Sequence, residues 1–218
     1  AGRVVLAAHP HGVVSVHHTQ LCCDAHGFTS SFPDLVHRRR DLAASAALML
    51  PLWRDVLLAI GCVDAGRKTA DAVLEAGMSL YVLPGGEREQ LLTVCGRHRV
   101  YLSGRKGFVR LAIKHGAPLV PCYCFGETDM YGTSGALLGL RNALCKATGV
   151  AIPLVTHVAP RRVALRQFVG RPVPVRQSPE PTREEVDEAH ARYVQELRAL
   201  FDRRKAEAGY PDATLEVL

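Results

Sequence analysis

Aromatic residues make up only 6% of the 218 residues, and tryptophan occurs once. Without basic residues interleaved with aromatics, a reader of single-stranded nucleic acid ranks last among the functional classes. The seven cysteines are odd in number and scattered, and Cys22 and Cys23 are adjacent. They form no disulfide framework and no C-x-x-C pair, so they read as reduced thiols in a reducing compartment. No apolar run reaches the roughly 18–20 residues that span a bilayer. The nearest, Leu42 to Val63, is interrupted by Arg54 and Asp55. No signal peptide opens the chain, which starts at Ala1-Gly2-Arg3 without an initiator Met, and an upstream membrane anchor is expected to have preceded it. There is no G-x-S-x-G elbow, no cysteine in a nucleophile setting, no repeat and no low-complexity linker. Acidic residues are outnumbered, giving a net charge of +6 and a pI near 9.1. That balance favours anionic partners, a polyphosphate-bearing molecule or an acidic membrane surface. The length fits one domain, 1–218.

Against these absences stands His9-Pro10-His11-Gly12, which follows the apolar run Val4-Val5-Leu6-Ala7-Ala8. A β-branched apolar run closed by proline and glycine predicts a buried strand ending in a sharp turn. Two imidazoles are thereby placed at the carboxyl end of a strand, where open α/β sheets carry their sites. Imidazole titrates near neutrality, so the pair suggests proton transfer or metal binding.

Further along, Val13 to Cys23 has the length of a helix, with His17 and His18 read as surface or capping residues. Thr29 to Asp34 reads as loop, and His37-Arg38-Arg39-Arg40 as a basic cluster suited to solvent, a phosphate or a headgroup. Leu42 to Leu50 and Trp53 to Ile60 read as two apolar helices, either core or a surface that dips into lipid. Arg67 to Ala76 is a helix stopped by Gly77, and Ser79 to Leu83 a strand ending at Pro84-Gly85-Gly86-Glu87-Arg88-Glu89. Val109 to His115 is a helix closed by Gly116, and Leu119 to Phe125 a strand ending at Gly126-Glu127-Thr128-Asp129. Met130 to Pro160 carries no clear pattern, and Val163 to Val169 reads as a strand. Thr182 and Glu185 form a capping box, opening a helix whose stripe is Val186, Ala189, Tyr193, Leu197 and Leu200.

Strand–helix alternation with polar strand ends predicts an α/β fold, a single-domain αβα sandwich around a mixed sheet with one active-site edge. An imidazole from the first strand end and a carboxylate from the second would make a general-base pair. With no covalent nucleophile in view, direct transfer to an acceptor hydroxyl fits best.

The motifs now on the page resemble those of the type 2 diacylglycerol acyltransferase family, within the glycerolipid acyltransferase superfamily. His9-Pro10-His11-Gly12 matches its H-P-H-G signature. Leu50-Pro51-Leu52-Trp53-Arg54-Asp55 with Gly61-Cys62-Val63-Asp64 is similar to a second region. Pro84-Gly85-Gly86-Glu87-Arg88-Glu89 stands where the family has G-G-A-x-E. Arg105-Lys106-Gly107-Phe108 through Phe125-Gly126-Glu127, and Val169-Gly170-Arg171-Pro172-Val173, complete the likeness over nearly the whole chain. The resemblance implies transfer of a fatty acyl group from acyl-CoA, as co-substrate, to a neutral glycerolipid, diacylglycerol first, with no bound cofactor and no metal. It implies His11 as general base, Glu89 as its partner, and His9 bonding to the turn or assisting. It further implies Gly12, Gly85, Gly86, Arg88, Arg105, Lys106 and Gly107 as contacts for the oxyanion or the CoA phosphates. It implies attachment to a membrane surface of the endoplasmic reticulum or a lipid droplet, facing the cytosol, with self-association left open. The superfamily's H-x-x-x-x-D relay is absent, since Val16 follows His11 at that spacing and Val14 follows His9. Glu87 also replaces the family's small residue. Rival readings are a lysophospholipid acyltransferase, a metal-dependent hydrolase using the H-x-H pair, and a lipid-binding module without catalysis.

Overall fold

The apolar runs of the sequence become a six-stranded sheet in the computed structural model, which describes residues 2–20, 27–36 and 38–218. The strands are β1 (Val5–His9), β2 (Arg39–Ala43), β3 (Cys62–Asp64), β4 (Ser79–Val82), β5 (His98–Val100), β6 (Leu119–Phe125), β7 (Thr133–Ser134), β8 (Leu154–Val155), β9 (Arg166–Val169) and β10 (Leu215–Val217). The helices are α1 (Val16–Gln20), α2 (Phe28–Ser31), α3 (Pro33–Val36), α4 (Ser45–Leu48), α5 (Trp53–Ala59), α6 (Arg67–Glu75), α7 (Gly86–Leu91), α8 (Gly107–His115), α9 (Leu138–Thr148) and α10 (Arg183–Arg204). In the main sheet the order is β3-β2-β4-β1-β6-β9. Five strands run parallel and β9 closes the edge antiparallel to β6. The expected α/β fold with a mixed sheet is therefore present.

Alternation along β1 divides the core. Val5 and Ala7 join Leu80, Val82 and Leu119 beneath α6, α8 and α10, where Leu74, Val109, Tyr193 and Leu197 are buried. Leu6 and Ala8 join Tyr81, Val120 and Cys122 on the other face, beneath Phe28 of α2. Helix α10 is locked at its start by the expected capping box: Glu185 N–H donates to Thr182 Oγ1 at 3.2 Å, and Thr182 N–H to Glu185 Oε2 at 2.8 Å. Tyr193 then donates its hydroxyl to the Ala7 carbonyl at 3.0 Å, tying helix to central strand.

Several local expectations are corrected. Thr29 to Asp34 is not loop but α2 and the start of α3. Leu42 and Ala43 belong to β2, leaving only Ser45–Leu48 helical before Pro51. Arg39 and Arg40 are strand residues rather than a solvated cluster, and Arg39 is buried against Asp41 at 2.5 Å. His37, Cys22 and Cys23 lie outside the described residues. His17 and His18 are buried, not surface residues. Met130 to Pro160 resolves into the β7–β8 pair and α9. β5 pairs parallel with β10 in a two-stranded sheet that no local pattern announces. Among the described residues, no helix is long and apolar enough to cross a membrane.

Candidate active site

Because β1, β2 and β4 are parallel neighbours, their carboxyl ends meet at one edge. His9 is the last residue of β1 and pairs with Tyr123 of β6, so its ring continues the Val5–Ala7 face and is fully enclosed. Glu89 reaches it from α7, the first helix after β4. His9 Nδ1 lies 3.2 Å from each carboxylate oxygen, Oε1 accepts the His11 amide at 2.7 Å, and Oε2 the Tyr101 amide at 2.6 Å. Burial alone would raise the Glu89 carboxyl, but His9 and the two amides outweigh it and hold its pKa below the ordinary carboxylate value. Gly85 is packed against this carboxylate, where a Cβ would collide with it.

The expected pairing of Glu89 with the His11 ring is thus corrected. The carboxylate takes the ring of His9 and only the backbone of His11. The reason is geometric: strand alternation ends at the Pro10 turn, and beyond it the His11 side chain departs into a cleft of about 740 Å³. Its Nδ1 is 3.3 Å from the Gly12 carbonyl, which can only accept, so Nδ1 carries the proton and Nε2 the lone pair. Burial lowers the His11 pKa below 6.5, partly offset by Glu89 and the Gly12 carbonyl, and favours the neutral base.

A second set of buried groups shapes the turn from below. Glu127, just beyond β6, accepts the amides of Val16 and His17 at 3.0 Å each. Gly12 has φ +64° and passes so close that a Cβ would lie 2.6 Å from Glu127 Cγ. His17 Nε2 donates to the Pro10 carbonyl at 2.9 Å, so its Nδ1 accepts the Tyr81 hydroxyl at 2.7 Å, and Gln167 donates to that hydroxyl at 2.9 Å. Burial, then the nearby His18 and His11, hold the His17 ring neutral, its pKa pushed down to about 3. Burial pushes Glu127 up to about 7 against the pull of its amide donors. The sequence marked Glu127 only as a polar strand end and missed this supporting role; Gly12, three residues after the end of β1, was the one local signal of a close approach.

The cleft wall is apolar on one side, with Val14, Leu42, Trp53, Val56, Leu57 and Ile60, and polar on the other, with Gly86, Glu87, Gln90 and Arg105. Gln90 steadies the loop by donating to the Val13 carbonyl at 2.6 Å. Arg105 lies 5.5 Å from the Tyr101 ring centre, its Nε buried without a partner, and exposed Arg88 lies 4.8 Å from the same ring. Three implied ligand contacts are corrected. The Gly86 amide donates to the Leu83 carbonyl at 3.1 Å and is not free for an oxyanion. Lys106 is held by Asp187 at 2.6 Å. Gly107 lines a different hollow, with Arg67, Asp71 and Pro181, because α8 turns its start away from the cleft. Among the described residues, the one trio of metal-ligating side chains with its ligand atoms close together is Asp71, Glu75 and His115, away from the His turn, and Lys114 and His115 both bond Asp71.

The Diacylglycerol acyltransferase family profile matches residues 3–218. The chain belongs to this family. It is 36% identical to human 2-acylglycerol O-acyltransferase 3 over 96% of the chain and 67% of that protein. It is 31% identical to diacylglycerol O-acyltransferase 2B of Umbelopsis ramanniana over 94% of the chain and 64% of that protein. It is 32% identical to human 2-acylglycerol O-acyltransferase 1, over 98% and 69%. The chain therefore spans about two thirds of the length of these curated relatives. No solved structure matches it. Family membership agrees with the motifs, and gives the cleft at the H-P-H-G turn its chemical context.

Proposed function

We propose that the cleft is the acyl-transfer site of an acyl-CoA-dependent acylglycerol O-acyltransferase, built on a glycerolipid acyltransferase-like sandwich. The observation that carries this reading is the placement of His11, its Nδ1 facing the Gly12 carbonyl and its ring at the end of a cleft with one apolar wall. The apolar wall suits acyl chains, and His11 meets the only polar chemistry they carry. In this mechanism His11 Nε2 takes the proton of the acceptor hydroxyl as its oxygen attacks the thioester carbonyl. The tetrahedral intermediate collapses by breaking the carbon–sulfur bond, and His11 returns the proton to the departing thiolate. Glu89 is a positioning residue: it fixes the His11 backbone and the His9 ring rather than relaying charge to the reacting imidazole. Arg105 and Arg88, grouped on Tyr101, are assigned to the CoA phosphates. The acceptor is a neutral glycerolipid, diacylglycerol or its monoacyl precursor, met at the cytosolic face of the endoplasmic reticulum or a lipid droplet.

The test supplies membranes holding the chain with labelled oleoyl-CoA and, in parallel, diacylglycerol, monoacylglycerol and lysophosphatidic acid. Label is expected in the acylated neutral glycerolipid. His11→Ala is expected to lower turnover by about 10²–10⁴-fold with the melting temperature unchanged. Label in phosphatidic acid instead would make Arg88 a headgroup ligand, and release of free fatty acid alone would indicate a hydrolase.

A further inference from the structure

Helix α7 presents two faces at the His turn. Glu89 is buried and turned toward the His9 ring, while Glu87 and Gln90 are half-buried and line the cleft together with His11. Three residues apart on one helix, Glu87 and Gln90 are neighbours on its surface. Gln90 commits its N–H₂ to the Val13 carbonyl at 2.6 Å, which leaves its amide oxygen as an acceptor. Among the described residues, the Glu87 carboxylate takes part in no ion pair and no hydrogen bond. An ionised carboxylate can only accept. The α7 side of the cleft therefore offers two acceptor groups without a donor, and partial burial of an unbonded carboxylate is unfavourable until a ligand brings one.

The rest of the lining narrows the chemistry of that donor. Arg105 belongs to the same lining, and its guanidinium opposes a cationic ligand. Glu87 opposes an anionic one. Across the cleft, Val14, Leu42, Trp53, Val56 and Ile60 form an apolar wall. What fits is a neutral hydroxyl on a molecule that also carries a long apolar chain. Glu87 also acts on the base itself: burial lowers the His11 pKa, and Glu87 is among the groups that raise it, behind Glu89 and the Gly12 carbonyl.

We infer that Glu87, supported by Gln90, is a specificity-determining residue that holds a second free hydroxyl of the acceptor while His11 takes the proton of the first. The site then favours a monoacyl glycerolipid, which has two free hydroxyls, over a diacyl one, which has one. A phosphate in place of the second hydroxyl meets the Glu87 charge and is disfavoured. The purpose of this contact rests on the acyl-transfer reading, but the contact itself is measured without turnover.

Turnover is followed with oleoyl-CoA and, in mixed micelles, 2-oleoylglycerol, dioleoylglycerol, oleyl alcohol or lysophosphatidic acid. The parent is expected to prefer 2-oleoylglycerol by kcat/KM. Glu87→Ala is expected to lower its preference for 2-oleoylglycerol over oleyl alcohol by about ten- to hundredfold, the range of a hydrogen bond to a charged group. Glu87→Gln, which keeps an acceptor oxygen, should lower it by less. Lysophosphatidic acid should gain on 2-oleoylglycerol in both variants. Trp53, the single tryptophan and part of the cleft wall, reports binding alone. In a His11→Ala background its emission is titrated with 2-decanoylglycerol and with decanol, and adding Glu87→Ala should weaken binding of the first more than of the second. An acceptor preference unchanged in both Glu87 variants would overturn the inference. So would a rise confined to the KM for oleoyl-CoA, which would place the carboxylate against the CoA arm. Selective loss of 2-decanoylglycerol binding, with no transfer by the parent to any acceptor, would keep the hydroxyl contact and sink the catalytic reading alone.

Discussion

The floor beneath the His turn and the rim of the cleft above it obey opposite rules, although His9 and His11 are two residues apart. Below, each carboxylate is buried and occupied by several donors: Glu89 by two amides and the His9 ring, Glu127 by two amides. Above, His11 has one ring contact and faces a cleft whose wall carries the exposed side chains of Val14, Trp53 and Val56. Leaving a buried charge unpaired costs several kcal/mol, so the floor can only be rigid. A site that must receive a large apolar ligand has to leave apolar surface unsatisfied until the ligand arrives. The difference teaches that the tetrapeptide does two jobs: His9 anchors and His11 acts. Variants below should therefore lose stability and activity together, and variants above should lose activity alone.

Glu89→Gln is the sharpest way to break that contrast. The amide presents an N–H₂ where one of three donors needs an acceptor, so the floor is left with a mismatched buried pair. The expected loss is about 3–5 kcal/mol of stability, read as a lower urea midpoint, together with a fall in turnover that the stable His11→Ala variant reaches without unfolding. A Glu89→Gln protein with the parent's midpoint and reduced turnover would show that the carboxylate acts in the chemistry rather than in the floor. Gly12→Ala comes next. The φ of +64° and the approach to Glu127 both oppose a methyl group, and about 2–3 kcal/mol of destabilisation is expected. Because the methyl would displace the loop that carries His11, turnover should fall by more than the folded fraction does. A turnover loss no larger than the loss of folded protein would separate this glycine from the site.

How much of this could be read from the sequence divides along the same boundary. The His turn, the glycine-rich turn after β4, and the helices α6, α8 and α10 were legible because each is a local pattern closed by a glycine or a cap. Leu42 and Ala43 were misread as helical, since an Ala- and Leu-rich run carries neither period clearly, and pairing with Val63 and Asp64 of β3 decides for strand. The choice of His9 over His11 as the ring partner of Glu89 depends on where the strand stops alternating, a matter of one residue. Lys106 was taken from its candidate role by Asp187, 81 residues away, and β5 by β10; contacts of that separation leave no trace in a local window. Glu127, His17 and Tyr81 were visible as residues but not as a unit, because three separate elements bring them under Pro10.

The finest test of the rigid floor is its pH dependence. Glu127 has its pKa raised from 4.5 to about 7, chiefly by burial. Between those two values the folded chain holds a proton that the unfolded chain releases. The contribution is therefore fully present below pH 4.5 and is lost as pH rises through about 7. The other buried groups of the floor and cleft, with His11, His17 and Glu89 all lowered, change stability in the opposite direction, being lost on acidification. A single profile would mix the two, so the measurement is the difference in urea midpoint between the parent and Glu127→Gln at pH 5 and at pH 8. The glutamine keeps one acceptor oxygen for the amides of Val16 and His17 but cannot ionise. The parent's advantage over the variant is expected to shrink from pH 5 to pH 8. An advantage that grows instead would mean that the amides of the turn hold Glu127 ionised, and that the floor binds its second carboxylate as firmly as it binds Glu89.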